Sequence, residues 1–217
     1  MDRNRYGLSR SRSTRPTLPV IVVVCDDSRT APAYFTEVKR QVKRYCTLKI
    51  VAAACDSGTP AEVVKLARGE LRDLHRTGAR DDEADARDSV WALIDLETAP
   101  AQHGRAYDAK GSAEAAGIHI ALSKPCFEVW TLAHLVDTGE CFEDCSAVLR
   151  RLRAAWSEQF GTDLESKAQA DYARLMPMRD VAVQRARSHA EATDPSWTEV
   201  YKLIEAINAL VASSSQG

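Results

Sequence analysis

Pro19-Val20-Ile21-Val22-Val23-Val24-Cys25-Asp26-Asp27-Ser28-Arg29-Thr30 is an unbroken apolar, β-branched run that stops at two aspartates and a polar loop. β-Branched side chains suit a pleated strand. A strand with no polar alternation is one covered on both faces, as in a parallel sheet. The next residues predict a helix over about 32–45, with Phe35, Val38 and Val42 on one face, and then a strand over 48–54. Thr59 caps a second helix with Pro60 at its first position and Val63, Val64, Leu66, Ala67, Leu71 and Leu74 on its buried side. The charged stretch 77–89 reads as a loop and Val90–Asp95 as a third strand. A loop over 96–105 and a helix over 107–116 follow. Gly117 stops that helix before a fourth strand over 118–122. This alternation predicts an α/β fold, a Rossmann-like parallel sheet flanked by helices. Helices expected over 125–136, 144–160, 166–192 (interrupted by Pro177) and 196–211 form a helical C-terminal annex.

The chain has 217 residues, 45% of them apolar, enough for one sizeable core. A net charge of −2 argues against a wholly basic nucleic-acid binder. The N-terminal stretch is the exception. Residues 1–17 contain Arg3, Arg5, Arg10, Arg12 and Arg15 against one acid, Asp2, and read as a flexible basic arm ahead of a domain spanning 18–213. Such an arm either follows a phosphate backbone or serves only solubility. No apolar run reaches the ~20 residues of a membrane span, and no signal core opens the chain. Cys25, Cys46, Cys55, Cys126, Cys141 and Cys145 are scattered in apolar surroundings, not spaced as a disulfide framework. The expected location is the cytoplasm, with no membrane association.

Ligands of open parallel sheets bind at the carboxyl ends of the strands. Two acidic groups fall there: Asp26 and Asp27 after the first strand, Asp95 and Glu97 after the third. Clustered carboxylates repel one another, and an oxygen-preferring cation such as Mg²⁺ or Mn²⁺ relieves the repulsion. It can then orient a phosphodiester and activate a water. The alternative at this point is that such acids cap helices and stay solvated.

The sequence resembles a known family at four places. Val22–Phe35, with Cys25-Asp26-Asp27-Ser28-Arg29-Thr30-Ala31-Pro32-Ala33-Tyr34-Phe35, is similar to the C-E-G-x-x-T-E-x-x-Y-F signature of RloB-like proteins. Trp91–Glu97 resembles that family's apolar strand ending in D-x-D. Ser123-Lys124-Pro125-Cys126-Phe127-Glu128-Val129-Trp130, continuing to His134, resembles S-N-P-C-F-E-x-W-x-x-x-H and is the specific match. Asp194-Pro195-Ser196 with Val200 and Leu203 resembles an N-P-S-x-x-V-x-x-L ending. The resemblance implies a Toprim core, in which an acid after the first strand acts in proton transfer and a D-x-D pair binds Mg²⁺. It also implies a role in bacterial antiphage defence. Asp26 takes the place of the first acid, and Asp95 and Glu97 take the metal pair. Asp27 stands where the family has Gly and is either an added ligand or a hindrance to close backbone approach.

Glu128 either supports the acidic site or bonds a backbone amide beside a packed Phe127, Trp130 and Leu132. His134 reads as a buried, hydrogen-bonded histidine. Cys126, His134, Cys141 and Cys145 match no zinc-finger spacing, and the three cysteines read as core thiols. Lys124 and Arg29 are the candidate phosphate contacts, with Arg150, Arg151, Arg153 and Lys167 behind them. The expected activity is a divalent-metal-dependent nuclease acting on RNA, such as a tRNA, or on DNA. A partner protein or nucleotide signal would restrain it, and an oligomer is compatible. A degraded Toprim subunit that binds or regulates is the alternative. A phosphotransfer enzyme is a third reading, without a P-loop or G-x-G-x-x-G to support it.

Overall fold

The computed structural model describes residues 18–53, 59–81, 86–96, 100–137, 139–166, 170–190 and 196–214, with all side chains in them except those of 77–81, 100–102 and 190. The basic arm over 1–17, Glu97, Lys167, Asp194 and Pro195 lie outside the described residues. The elements run β1 (Val20–Cys25), α1 (Thr30–Val42), β2 (Thr47–Ala52), α2 (Pro60–Asp81), β3 (Ser89–Asp95), α3 (Pro100–Glu114) and β4 (His119–Lys124). They continue with α4 (Glu128–Ala133), α5 (Cys145–Phe160), a 3-10 helix (Tyr172–Met178), α6 (Arg179–Ala190), β5 (Trp197–Thr198) and α7 (Val200–Ser214).

One sheet of order β2-β1-β3-β4-β5 carries the fold. The first four strands are parallel, and β5 pairs antiparallel with β4 through Ser123↔Thr198 and Lys124↔Trp197. Alternating side chains send β1 to two cores. Ile21, Val23 and Cys25 join a large cluster with α1 and the C-terminal helices, while Val22 and Val24 join a smaller one under α2 and α3. The α/β architecture with a helical C-terminal region is therefore as the sequence pattern implies. Among the described residues no helix is long and apolar enough to cross a membrane.

Four local expectations are corrected. Helix α2 continues through Asp81 into the stretch expected as loop, and α3 begins at Pro100 instead of near Tyr107. Ala79, Arg80, Ala101, Gln102, Arg105 and Ala106 are good helix formers, and Pro100 suits a first turn, so a lack of large apolar residues does not end a helix. The helix expected over 166–192 is interrupted beside Pro177 as anticipated, but the part before the break is a 3-10 turn that contains Pro177, and α6 follows from Arg179. Strand β5 is too short to show a period. It is fixed by long-range bonds: Glu199 N–H donates to the Leu122 carbonyl at 2.7 Å, and Ser123 Oγ and Thr198 Oγ1 share a hydrogen bond of 2.8 Å. The Glu199 carboxylate also accepts from Lys110 Nζ at 2.9 Å, Lys202 Nζ at 2.6 Å and the Leu122 amide at 3.2 Å, tying α3, α7 and β4 together.

Local signals held where they had a mechanism. Thr59 and Glu62 form a reciprocal capping box: Glu62 Oε2 accepts from the Thr59 amide at 2.9 Å, and Thr59 Oγ1 accepts from the Glu62 amide at 3.4 Å. Asp144 caps α5 through the Ala147 amide at 2.8 Å. Gly117 takes φ +80° after α3, a conformation open to glycine at little cost.

Candidate functional site

Strand β1 is followed by a helix that leads left to β2, and β3 by one that leads right to β4. The crevice between the carboxyl ends of β1 and β3 is thus the switch point of the sheet. Asp26 leaves β1 there and Asp95 ends β3. The two are joined directly: Asp26 Oδ2 accepts the Asp95 backbone N–H at 2.6 Å. The Asp95 carboxylate in turn receives a backbone hydrogen bond from Phe127, in the turn between β4 and α4. That turn also starts the helix carrying Glu128, whose side chain is buried at 1% exposure. Three carboxylates separated by 69 and 33 positions in sequence are thereby brought to one end of the sheet.

Burial pushes the Asp26 carboxyl up to about 7, and the charges of Asp27 and Glu128 add to this, while the Asp95 amide opposes it. Burial, then the charges of Asp26 and Glu128, raise Asp95 well above the ordinary carboxylate range. The Cys25 thiol beneath is raised by burial and by the charges of Asp27, Asp26 and Asp95. Tyr172 of the 3-10 helix is raised by burial, with Glu128 and Asp27 contributing. Cys25 and Tyr172 therefore belong to the walls of the acidic site. Tyr172 carries no signal in the sequence, because only the folding of the 3-10 segment against α1 brings it here.

The donor chemistry fits a hard divalent cation. It is an oxygen-only pair of half-buried carboxylates whose ionised forms are disfavoured by their surroundings. Among the described residues, the side chains whose donor atoms all gather within 4.8 Å are instead Cys126, Glu128 and Cys145. Cys126 and Cys145 are joined as a disulfide across 19 residues, and Cys145 Sγ lies 3.8 Å from Glu128 Oε2. The expectation of core thiols is corrected for this pair, since α5 packs on α4 and brings Cys145 to Cys126. Cys25 and Cys46 are free and buried, and Cys141 is free and exposed.

Asp27 has a different task from its neighbour. Its Oδ2 accepts the amides of Thr30 at 2.6 Å and Arg29 at 3.3 Å, and its Oδ1 accepts that of Ala31 at 3.2 Å. A carboxylate on the first amides of α1 satisfies orphan donors and opposes the helix dipole. This is the capping alternative, realised at one of the two aspartates. Asp27→Ala is accordingly expected to cost about 1 kcal/mol and lower Tm by roughly 3 °C. A Mn²⁺ dissociation constant unchanged in calorimetry would mark it as a cap, whereas a large loss of affinity would make it a ligand.

The raised Asp26 carboxyl makes metal-free stability depend on pH. Its folded value, about 7, lies above the unfolded value of 3.8, so its contribution is complete below 3.8 and is lost as pH rises through 7. In EDTA, Tm is expected to fall progressively between about pH 4 and 7.5 and to level off above that. Asp26→Asn should flatten that fall while keeping an acceptor for the Asp95 amide. Saturating Mn²⁺ should restore stability, by about 2.7 kcal/mol at a hundredfold excess over its dissociation constant. Parallel pH profiles for wild type and Asp26→Asn would refute the assignment.

The remaining candidates are dispersed. Arg29 is exposed at the head of α1, and Lys124 is half-buried at the end of β4. Arg150 and Arg153 face solvent on α5, and Arg151 Nε pairs with Glu140 at 3.2 Å. His134 is the buried, hydrogen-bonded histidine expected. Its Nδ1 donates to the Trp130 carbonyl at 3.0 Å, so its Nε2 accepts the Tyr34 hydroxyl at 3.2 Å, and burial lowers its pKa to about 4.

No curated protein and no solved structure matches this chain. The family described as RloB-like protein matches residues 21–207, from β1 into α7 and across every described element of the acidic site. By that match over most of its length, the chain belongs to the RloB-like family.

Proposed function

We propose that this protein is a divalent-metal-dependent phosphodiesterase acting on nucleic acid, serving as an effector in antiphage defence. The observation that carries the reading is the Asp26–Asp95 pair at the switch point of the sheet, held by the 2.6 Å bond from the Asp95 amide. Family membership and the Toprim resemblance of the first and third strand ends support it. Asp95, fixed by the Phe127 amide, and Glu97 would hold the cation, with Asp26 beside them. A bound Mg²⁺ or Mn²⁺ would supply positive charge against the phosphate as negative charge develops in the transition state.

The protein's own groups have separable tasks. Asp26 titrates near neutral pH in the cation-free fold, the range in which a carboxyl can both take and return a proton. Its Oδ2 is anchored, so the side chain keeps one orientation toward the crevice. Glu128 adds negative charge from below and is a supporting group. Lys124 and Arg29 at the strand ends are proposed phosphate contacts.

The test is incubation of purified protein with labelled tRNA, single-stranded RNA and plasmid DNA, in Mg²⁺, Mn²⁺ or EDTA. Cleavage of one substrate, abolished by EDTA, is the expected result and decides RNA against DNA. No cleavage, together with no calorimetric uptake of Mn²⁺, would overturn the reading and leave a binding or regulatory subunit.

A further inference from the structure

Helices α2 and α3 lie side by side on one face of the sheet, and both begin at its carboxyl edge, where Asp26 and Asp95 stand. Between them runs a groove with a cavity of about 630 Å³. It opens at Thr59 and Pro60, the head of α2, and a further hollow of about 500 Å³ continues it to Ala115 and Ala116. Lys65, Arg68 and Arg72 line it from α2, at a spacing that puts all three on one helix face, and Arg105 faces them from α3. Asp108 is the single acid in that lining.

The cations are not equivalent. Arg68 is half-buried, and its guanidinium crosses the groove to the Ser112 carbonyl at 3.0 Å and to Ser112 Oγ at 2.7 Å. Its Nε is shielded from solvent and meets no acceptor among the described residues. A shielded guanidinium N–H without an acceptor costs free energy that an anionic oxygen would recover. Lys65, Arg72 and Arg105 are exposed along the same line. None of the four pairs with a carboxylate within 4 Å among the described residues. A chain of net charge −2 has nevertheless gathered four cations and one acid in a channel that opens at the same edge of the sheet as its acidic site.

We infer that the α2–α3 groove is the track for a single nucleic-acid strand, its phosphates on Lys65, Arg72 and Arg105 and one oxygen on Arg68. This deepens, and rests on, the phosphodiesterase reading, because it gives the substrate a path from the carboxyl edge of the sheet. The interior of a groove between two helices admits one extended strand more readily than a duplex. The rim charges supply salt-dependent affinity without base reading.

Fluorescence anisotropy of a labelled single-stranded oligonucleotide, run in EDTA so that nothing is cleaved, tests it. The triple variant Lys65→Ala/Arg72→Ala/Arg105→Ala alters exposed side chains and should keep the wild-type circular dichroism and Tm. Its affinity is expected to fall at least tenfold at low salt. The slope of log K against log salt should drop by about 2, close to 0.7 for each phosphate deprived of its cation. Lys39→Ala/Arg44→Ala, exposed at the end of α1 on the opposite face of the sheet, should bind as wild type.

Equal affinity of wild type and the triple variant would overturn the inference. So would a loss seen equally in the α1 variant, or a wild-type protein that binds no strand. If phosphatidylserine vesicles, and not the oligonucleotide, lose binding in the triple variant, the groove serves a membrane surface and the inference fails. Cleavage of the same oligonucleotide in Mn²⁺ is scored separately. A groove that binds with neither cleavage nor calorimetric uptake of Mn²⁺ sinks the phosphodiesterase reading alone, and cleavage with an indifferent groove sinks the groove alone.

Discussion

Asp95→Asn is expected to lower metal-dependent cleavage about 10³-fold or more while raising the Tm measured in EDTA. Both effects come from one carboxylate. In the cation-free fold, burial and the charges of Asp26 and Glu128 raise the pKa of Asp95, so its ionised form is a cost near neutral pH. An amide of the same shape removes that charge and still accepts the hydrogen bond from the Phe127 amide. With substrate and Mn²⁺ present the balance reverses, because a metal-ligating charge is worth several kcal/mol of transition-state stabilisation and about 1.36 kcal/mol is a factor of ten. Steady-state cleavage and differential scanning calorimetry of the same preparation check the two halves. A variant that is more stable and inactive fits a site organised for a cation. Full activity removes Asp95 from the chemistry. Inactivity with a collapsed Tm would assign it a structural task instead.

Tyr34→Ala is expected to be the most damaging substitution in the core, costing about 4 kcal/mol and lowering Tm by roughly 10 °C. Tyr34 is fully buried on α1, and its ring meets five others edge-on or nearly so: Phe35, Phe127, Trp130, His134 and Tyr172, with centroids between 5.2 and 6.0 Å. Truncation removes that area, leaves a cavity and strips the hydroxyl from His134 Nε2. Tyr34→Phe keeps the packing and loses the hydrogen bond alone, so it should cost only about 1–2 kcal/mol. Urea denaturation of both variants separates the contributions. Equal losses would mean that the Tyr34–His134 bond, not the ring cluster, dominates. The consequence reaches the candidate site, since Phe127 and Tyr172 stand both in this cluster and against Asp95 and Glu128.

The path from sequence to site was legible in some places and closed in others. The run Val20–Cys25 specified a buried parallel strand, and its polar stop placed Asp26 at the strand's carboxyl end without further information. Val90–Asp95 did the same for Asp95. The Ser123–Trp130 block marked the turn in which Phe127 and Glu128 meet the other two strand ends. The strand pattern did not distinguish Asp26 from Asp27, and only the resemblance of the motif around them set the two apart. Both are aspartates after the same strand. One bonds the Asp95 amide 69 positions away, and the other caps the helix that follows.

The apolar patterns of the strands and first helices determined the α/β class by themselves, because burial of a β-branched run or an amphipathic face has few architectural solutions. The tertiary structure alone decided the partners of Cys145, Tyr172, Glu199 and β5, since each meets a residue on an element distant in sequence. It also decided that Lys65, Arg68, Arg72 and Arg105 share one groove. A period in sequence sets which side of its own helix a residue occupies. Which helix faces that side is set by the handedness and order of the crossovers between strands.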